Sequence, residues 1–263
     1  MGNPAKLVKS CNLEFDRNLS LAESAVCLAE AGFTHTFVVW GFEGEGIRAA
    51  AAAHAAGLTV ETVHASYWGV NEIWLEGPQG ENRMDYFLSC VRGAAVIGVK
   101  TVILHLSSGD TPPPFGVTGL RRYGRICREA ERLGVTVGFE NLRKTSYLTD
   151  LFANLESPAR KFCYDCGHER LYDGGDGVLE RYGKDLVAVH LHDNGGTNDD
   201  HLLPFTGVID WERLAKRLRP YYAANPSLPV TLELKQSGGG LAGKALAREA
   251  YAVACKLEQL IEG

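Results

Sequence analysis

The sequence predicts one (β/α)8 barrel, a TIM barrel, as a single domain over residues 1–263. Three observations carry that expectation. Short runs rich in β-branched and apolar residues alternate with longer amphipathic stretches carrying Ala, Leu, Glu and Arg, the mark of repeated strand–helix units. The alternation recurs eight times in 263 residues, which suits a closed barrel of about 250 residues better than an open doubly wound sheet. No Pro/Gly/Ser linker is long enough to separate two domains; SGDTPPPFG at 108–116 and KQSGGG at 235–240 read as loops after strands.

In chain order, strands are expected at 6–11 (KLVKSC), 35–40 (HTFVVW), 58–64 (LTVETVH) and 100–105 (KTVILH). Four more follow at 134–140 (GVTVGFE), 160–165 (RKFCYD), 186–190 (LVAVH) and 228–233 (LPVTLE). The amphipathic stretches place helices at 20–32, 44–56, 80–98 and 117–133, then at 148–154, 174–183, 209–218 and 241–261. The fifth and sixth helices carry the faintest signal. GFEGEG at 41–46 lacks both the G-x-G-x-x-G order and the lysine of a phosphate loop, so it reads as a turn into a helix.

Composition narrows the function classes. With 27 Lys+Arg against 32 Asp+Glu, no general basic field points to nucleic acid or an anionic membrane. Seven cysteines without the short spacings of a disulfide framework suggest a reducing compartment, with the cytoplasm as the expected location. The opening MGNPAKLVKSCNLEF has no apolar signal-peptide core, and Lys6 stands where a myristoylation motif wants Ser or Thr. No apolar run reaches the roughly 18 residues of a membrane span. Cys163 and Cys166 have CxxC spacing, but no second pair completes a zinc site, and they read as structural.

The last six expected strands end on His64, His105, Glu140, Asp165, His190 and Glu233, every one a metal-ligand type. Parallel barrel strands all open on one face, so these residues converge there. Carboxylates gathered so closely repel one another unless a cation offsets them. His168 in DCGH, and Asp199 and His201 in DDH, bring three more donors from adjacent loops, nine in all. A single strand-end histidine is ordinarily a hydrogen-bonded structural residue; the set on one face changes that balance. Mixed imidazole and carboxylate donors suit Zn, Mn, Co or Fe, in one to three ions, better than Mg or Ca.

The ordered segments HASYWGVN, LHLSSG, FENL, DCGH, VHLHDN, DDH and LELK resemble the xylose-isomerase-like barrel superfamily. It includes sugar and sugar-phosphate isomerases and epimerases, an inositol-catabolism dehydratase and endonuclease IV. The resemblance implies that Glu140, Asp165, His190 and Glu233 form the single-metal site of the sugar-handling members. It implies equally that His64, His105, His168, Asp199 and His201 match the extra ligands of the trinuclear zinc site of endonuclease IV. Sugar-active relatives keep similar residues and still bind one metal.

Two chemistries remain open at this stage. In the first, a divalent-metal-dependent isomerase or epimerase moves a proton next to a carbonyl, with Glu140 and Glu233 as acid and base and His168 at a substrate oxygen. A dehydratase of the same fold shares the proton removal. In the second, an abasic-site phosphodiesterase uses three zinc ions. This chain reads ENLRKTS, DCGH and LLPFTG where endonuclease IV carries its Gly-rich run, Asp-Thr-Cys-His and a His-Ser-Leu-Gly-Glu-Gly run, so the sugar branch is favoured. Ser146 and Gly196 stand where free-ketose 3-epimerases add a glutamate and an arginine, which leaves the sugar unnamed. A non-catalytic metal- or sugar-binding barrel is the third class.

Lys235, Asn141, Trp68 and Arg143 are the expected substrate contacts, with Asn12, Glu14, Trp40 and Tyr67 also near the strand ends. Aromatic faces pack on sugar rings, and Lys or Arg suits a phosphate or carboxylate. Lys235 lies two residues past Glu233 and so on the same side of its strand. His192 follows His190 by two and is either a donor behind a ligand or a plain loop histidine. The expected partner is a small-molecule sugar or sugar phosphate, without membrane, with nucleic acid disfavoured and a homo-oligomer compatible with the sequence.

Overall fold

The computed structural model of the chain describes residues 6–173, 177–236 and 240–263. Eight strands, β1 (Lys9–Asn12), β2 (His35–Trp40), β3 (Thr59–Ala65), β4 (Thr101–Leu104), β5 (Thr136–Glu140), β6 (Arg160–Asp165), β7 (Leu186–His190) and β8 (Val230–Leu232), form one parallel sheet. From β2 to β7 each pairs with its predecessor, and β8 pairs with β1. The last seam, between β7 and β8, is bridged just beyond β7. There Leu191 donates to the Thr231 carbonyl at 2.9 Å and Glu233 donates to the Leu191 carbonyl at 3.1 Å. The expected barrel is therefore what forms.

Helices α1 (Leu21–Ala31), α2 (Glu45–Ala55), α3 (Pro78–Val96), α4 (Val117–Leu133), α5 (Thr145–Asn154), α6 (Cys166–Tyr172), α7 (Val178–Tyr182), α8 (Trp211–Ala224) and α9 (Gly243–Glu262) surround it. Local chemistry sets their limits. Ser20 and Glu23 cap one another at the start of α1, and Gly32, at φ 114°, ends it in the left-handed region. The apolar core fills the layer between strands and helices, with Val38, Val63, Val102, Val137 and Val189 facing outward from the barrel into it.

Alternate residues point inward. Gly138, Ile103, Cys163 and Ala188 fill the barrel below the strand ends; a Cβ on Gly138 would fall 2.8 Å from Ile103 Cδ1. One step along each strand, the same parity brings His105, Glu140, Asp165 and His190 into the mouth. Near the opposite end, β3 carries an extra residue against β2: Thr36 pairs with Val60 but Phe37 with Thr62. Glu61 is that residue, and its carboxylate accepts from Thr231 Oγ1 at 2.8 Å.

Several expected boundaries shift. β1 begins at Lys9 rather than 6, because its ladder with β8 starts at Lys9–Val230. α5 starts at Thr145, three residues before the expected 148. DCGH is not loop but the first turn of α6, with Asp165 as its N-cap. The helix expected at 174–183 is instead α7 followed by a short 3₁₀ turn, Gly183–Asp185; residues 174–176 lie outside the described residues. So do 237–239 of the KQSGGG loop and 1–5 of the amino terminus. α8 runs through Pro220 to Ala224, past the expected end at 218, because Leu214, Ala215, Leu218 and Tyr222 keep one face buried. Among the described residues, no helix is long and apolar enough to cross a membrane.

Candidate metal centre and substrate cavity

The strand ends deliver the expected ligands to one place. One donor atom each from Glu140, Asp165, His190 and Glu233 lies within 4.8 Å of the others, and the same holds for His64, Glu140 and His190. Glu140 is the hub. Its Oε2 is 3.2 Å from His64 Nε2, 3.1 Å from His105 Nε2 and 3.5 Å from His190 Nδ1, while its Oε1 is 3.2 Å from His168 Nδ1. His190 Nδ1 is also 3.2 Å from Glu233 Oε2. Phe37 stacks on the His190 ring at 5.1 Å, which fixes its plane.

The other donors arrive by two local devices. Asp165 caps α6 by accepting from the His168 backbone at 2.7 Å, and that turn folds His168 back over the strand ends. The loop after β7 is pinned by paired backbone bonds between Asp193 and Leu202, both 2.8 Å. The Asp193 carboxylate holds the Asn194 and Ile209 N–H groups and Trp211 Nε1. Within this loop His201 takes a positive φ of 49°, and its Nε2 lies 3.0 Å from Asp199 Oδ2.

The hydrogen bonds behind the rings test whether these residues fit a cation. His64 Nδ1 lies 2.8 Å from the Ala65 carbonyl, His168 Nδ1 3.0 Å from the Asn141 carbonyl, and His201 Nδ1 3.1 Å from the Glu233 carbonyl. A carbonyl only accepts, so each Nδ1 carries the hydrogen. In a neutral ring Nε2 is then a lone pair, yet each Nε2 faces a carboxylate: Glu140 for His64, and Asp199 for His168 and His201. Lone pair against carboxylate is repulsive unless a proton or a metal ion stands between them. Backbone-oriented imidazoles of this kind are the usual arrangement behind a metal ligand, so the donor set fits a divalent cation.

Metal-free, a proton takes that place at His168. Burial pushes the Glu140 carboxyl up, but His105 and His190 outweigh it and hold it well below the usual range. Asp199 is likewise held low against burial by His168 and His201. His168 moves the other way: burial lowers it, but Asp165, Asp199 and Glu140 raise it well above its ordinary value.

Above these donors opens a cavity of about 430 Å³, within the range for a small-molecule site. Trp68, Arg143 and Lys235 line it, as do Asn12, Glu14 and Tyr67. Tyr67 stacks on His105 at 5.7 Å and on Trp68 at 5.6 Å, an aromatic column from the ligand layer to solvent. Arg143 is partly committed: it pairs with Asp110 and lies over the Tyr172 ring. Two expected contacts are elsewhere. Asn141 turns its side chain onto the Asp165 backbone, donating to the carbonyl at 2.8 Å and accepting from the N–H at 2.7 Å, and does not line the cavity. Trp40 points outward against Gly46 and Gly93.

Phe37, Ser66, Ser107 and Tyr172 line the cavity without having been singled out from sequence. Inward parity on β2 was the available signal for Phe37. His192 proves to be part of the cluster, its Nε2 lying 3.2 and 3.1 Å from the two Asp165 oxygens.

Residues 28–256 match the family model described as xylose isomerase-like TIM barrel. An uncharacterized protein of Sinorhizobium fredii, y4fM, is 30% identical over 277 residues, covering 89% of this chain and 87% of that protein. Among solved structures, D-psicose 3-epimerase from Clostridium cellulolyticum H10 superposes with a TM-score of 0.75 at 16% identity, covering 97% of this chain and 99% of that one. The 3-keto-D-glucoside 4-epimerase YcjR from E. coli superposes with a TM-score of 0.68 at 17% identity, covering 96% and 100%. At these identities the structural likeness establishes the fold alone.

Proposed function

The chain belongs to the xylose isomerase-like TIM barrel family, and from that premise we propose that it is a divalent-metal-dependent isomerase or epimerase of a sugar or sugar phosphate. The observation that carries the reading is the quartet Glu140, Asp165, His190 and Glu233, its donor atoms within 4.8 Å, beneath a cavity of small-molecule size. A cation held there would polarise the substrate's carbonyl and hydroxyl oxygens, which lowers the cost of charge as a proton leaves the neighbouring carbon.

The chain's own groups supply the rest. Glu140 and Glu233 both line the cavity and take the roles of base and acid. His168, also on the wall, donates to a substrate oxygen from a protonated Nε2 where it does not itself hold metal. Trp68 and Tyr67 offer flat faces to a sugar ring, and Lys235 and Arg143 offer charge to a carboxylate or phosphate on it. A dehydratase would use the same proton removal. The seven unpaired cysteines among the described residues agree with a cytoplasmic enzyme. A homo-oligomer remains compatible with this reading.

Solvent-deuterium exchange tests it. The metal-loaded enzyme should label a ketose or ketose phosphate next to the carbonyl, and Glu140→Gln should slow exchange by about 100-fold or more. No exchange across a panel of sugars, sugar acids and sugar phosphates would sink the proposal. The gathering of His168, Asp199 and His201 beside the quartet keeps a second reading, abasic-site phosphodiester cleavage with up to three zinc ions. Incision of an abasic duplex by stoichiometric enzyme would favour it.

A further inference from the structure

We infer that Asn12 and Asn141 are positioning residues of the metal centre: each side-chain amide replaces a missing rung of the barrel ladder beside Glu233 or Asp165, and so sets the spacing of the quartet. The inference rests on the metal reading above, but not on the sugar chemistry.

The β1–β8 ladder ends at Cys11 and Leu232, and the β5–β6 ladder at Glu140 and Cys163. One residue further on the first strand of each pair stands an asparagine, and two further on the second stands the residue it grips. Asn12 Nδ2 donates to the Leu234 carbonyl at 2.9 Å, and its Oδ1 accepts from the Leu234 N–H at 2.8 Å. Asn141 holds Asp165 in the same way, at 2.8 and 2.7 Å. A carboxamide has the donor and the acceptor of a peptide group, so it makes both bonds that a ladder partner would make.

The recurrence has a physical reason. After Asn12 the backbone turns to β2, where the Leu13 N–H donates to the Phe37 carbonyl at 3.0 Å. Leu234 and Asp165 are 1% and 0% exposed, so without the clamps their backbone groups would be buried and unpaired. A side chain that reaches across satisfies them while the ladder itself ends, and the residues at the strand ends stay fixed around an open mouth.

Both clamps act on quartet donors. The Glu233 and Lys235 N–H groups donate the opposite way, to the Leu191 and His201 carbonyls at 3.1 Å, so Asn12 completes a segment held from both sides. Little backbone freedom remains with which to move the Glu233 carboxylate. The Asp165 side chain is spent on capping α6, and Asn141 holds its main chain instead. A third asparagine supplies a control. Asn71, in the 3₁₀ turn Val70–Trp74 after β3, clamps the N–H and carbonyl of Ser108, both at 2.9 Å. Ser108 lines the cavity but adjoins no quartet donor in sequence.

The test is the dissociation constant of the full chain for Mn²⁺ and for Zn²⁺, read by competition with a chelator, beside the melting temperature of the metal-free protein. Asn12→Ala, Asn141→Ala and Asn71→Ala each remove one two-bond clamp. We expect the first two to weaken metal binding by about 10- to 100-fold, the usual effect of removing a group behind a ligand, and Asn71→Ala to keep wild-type affinity. A purely structural role would lower the melting temperature in all three and leave affinity alone. Asn12→Ser and Asn141→Ser, whose hydroxyl cannot span both backbone groups, should fall between and serve where an alanine variant does not fold. Wild-type affinity in folded Asn12 and Asn141 variants, or an equal loss in Asn71→Ala, overturns the inference. A wild-type chain that takes up neither ion sinks the metal reading itself, and this inference with it.

Discussion

At the end of the barrel where the strands begin, Lys9 meets Glu258 at 2.7 Å with both side chains under a tenth exposed. Glu61 takes a hydrogen bond from Thr231, and Asp185 stands opposite Arg160 and Lys161. At the end where the strands finish, Glu140, Asp165, Asp199 and Glu233 converge with imidazoles as their only ion-pair partners among the described residues. One end carries lysine and arginine as the ion-pair partners of its acids. The other is complete only when protons or a metal ion arrive. The same fold thus pairs acids at its base with lysine and arginine, Glu61 excepted, and leaves an uncompensated mouth.

Breaking a pair at the base should produce the largest loss of stability. Lys9→Ala leaves Glu258, on α9, buried without its cation, and Glu258 Oε1 already lacks a partner. Removing one member of a buried pair costs about 3–5 kcal/mol. At about 2–4 °C per kcal/mol for a chain of this size, that lowers the melting temperature by about 10 °C. Metal stoichiometry should not change. If Lys9→Ala also sheds metal, the two ends are coupled and the division is wrong.

The mouth should instead reveal itself through pH. Burial lowers His168 and His192, but Asp165 and neighbouring acids raise both above the ordinary 6.5. Their contribution to metal-free stability is therefore complete below 6.5 and lost as pH rises through the raised values. Glu140, held below its ordinary 4.5, contributes above that value and fails only as pH falls through its lowered one. The metal-free protein should thus melt highest between 4.5 and 6.5 and lose several degrees as pH rises through the raised histidine values. A bound cation replaces those protons, so the loaded protein should keep its melting temperature over the same interval. Parallel pH profiles with and without metal would show that the acids are compensated by something else.

The distinction between the ends also explains what the sequence could convey. Strand ends were legible because Glu140, Asp165 and His190 each close an apolar run and end their strands with inward parity, the β6–β7 irregularity at Val187 lying lower in the barrel. The same parity, applied to β2, would have sent Trp40 outward and Phe37 inward. His190 and His192 share a side, which was visible, but the Asp165 oxygens that His192 faces come from another strand. DCGH read as loop; Gly167 stands there because the His192 ring folds in from the loop after β7, which no local pattern contains. Asn141 looked available to substrate, yet its amide serves the β6 backbone, a long-range use of a polar side chain. Site membership was legible where it followed from period, and hidden where it depended on contacts across strands.

The smallest effect should come from the rim, where neither charge nor deep packing is involved. Trp68 is 69% exposed and Tyr67 46%, and their rings are 19° from parallel, with Tyr67 in turn stacked on His105. Trp68 touches the ligand layer only through Tyr67, whereas Tyr67 packs directly on a ring that contacts Glu140. Removing the outer face should therefore weaken ground-state and transition-state binding alike. Loss of one stacking partner is worth about 0.5–1.5 kcal/mol, so Trp68→Ala should raise KM by about two- to tenfold. Its kcat and melting temperature should stay unchanged. Tyr67→Ala, which frees His105, should lower kcat as well. If Trp68→Ala slows kcat and spares KM, the column acts on the ligand layer rather than on substrate, and the uncompensated mouth extends to the rim.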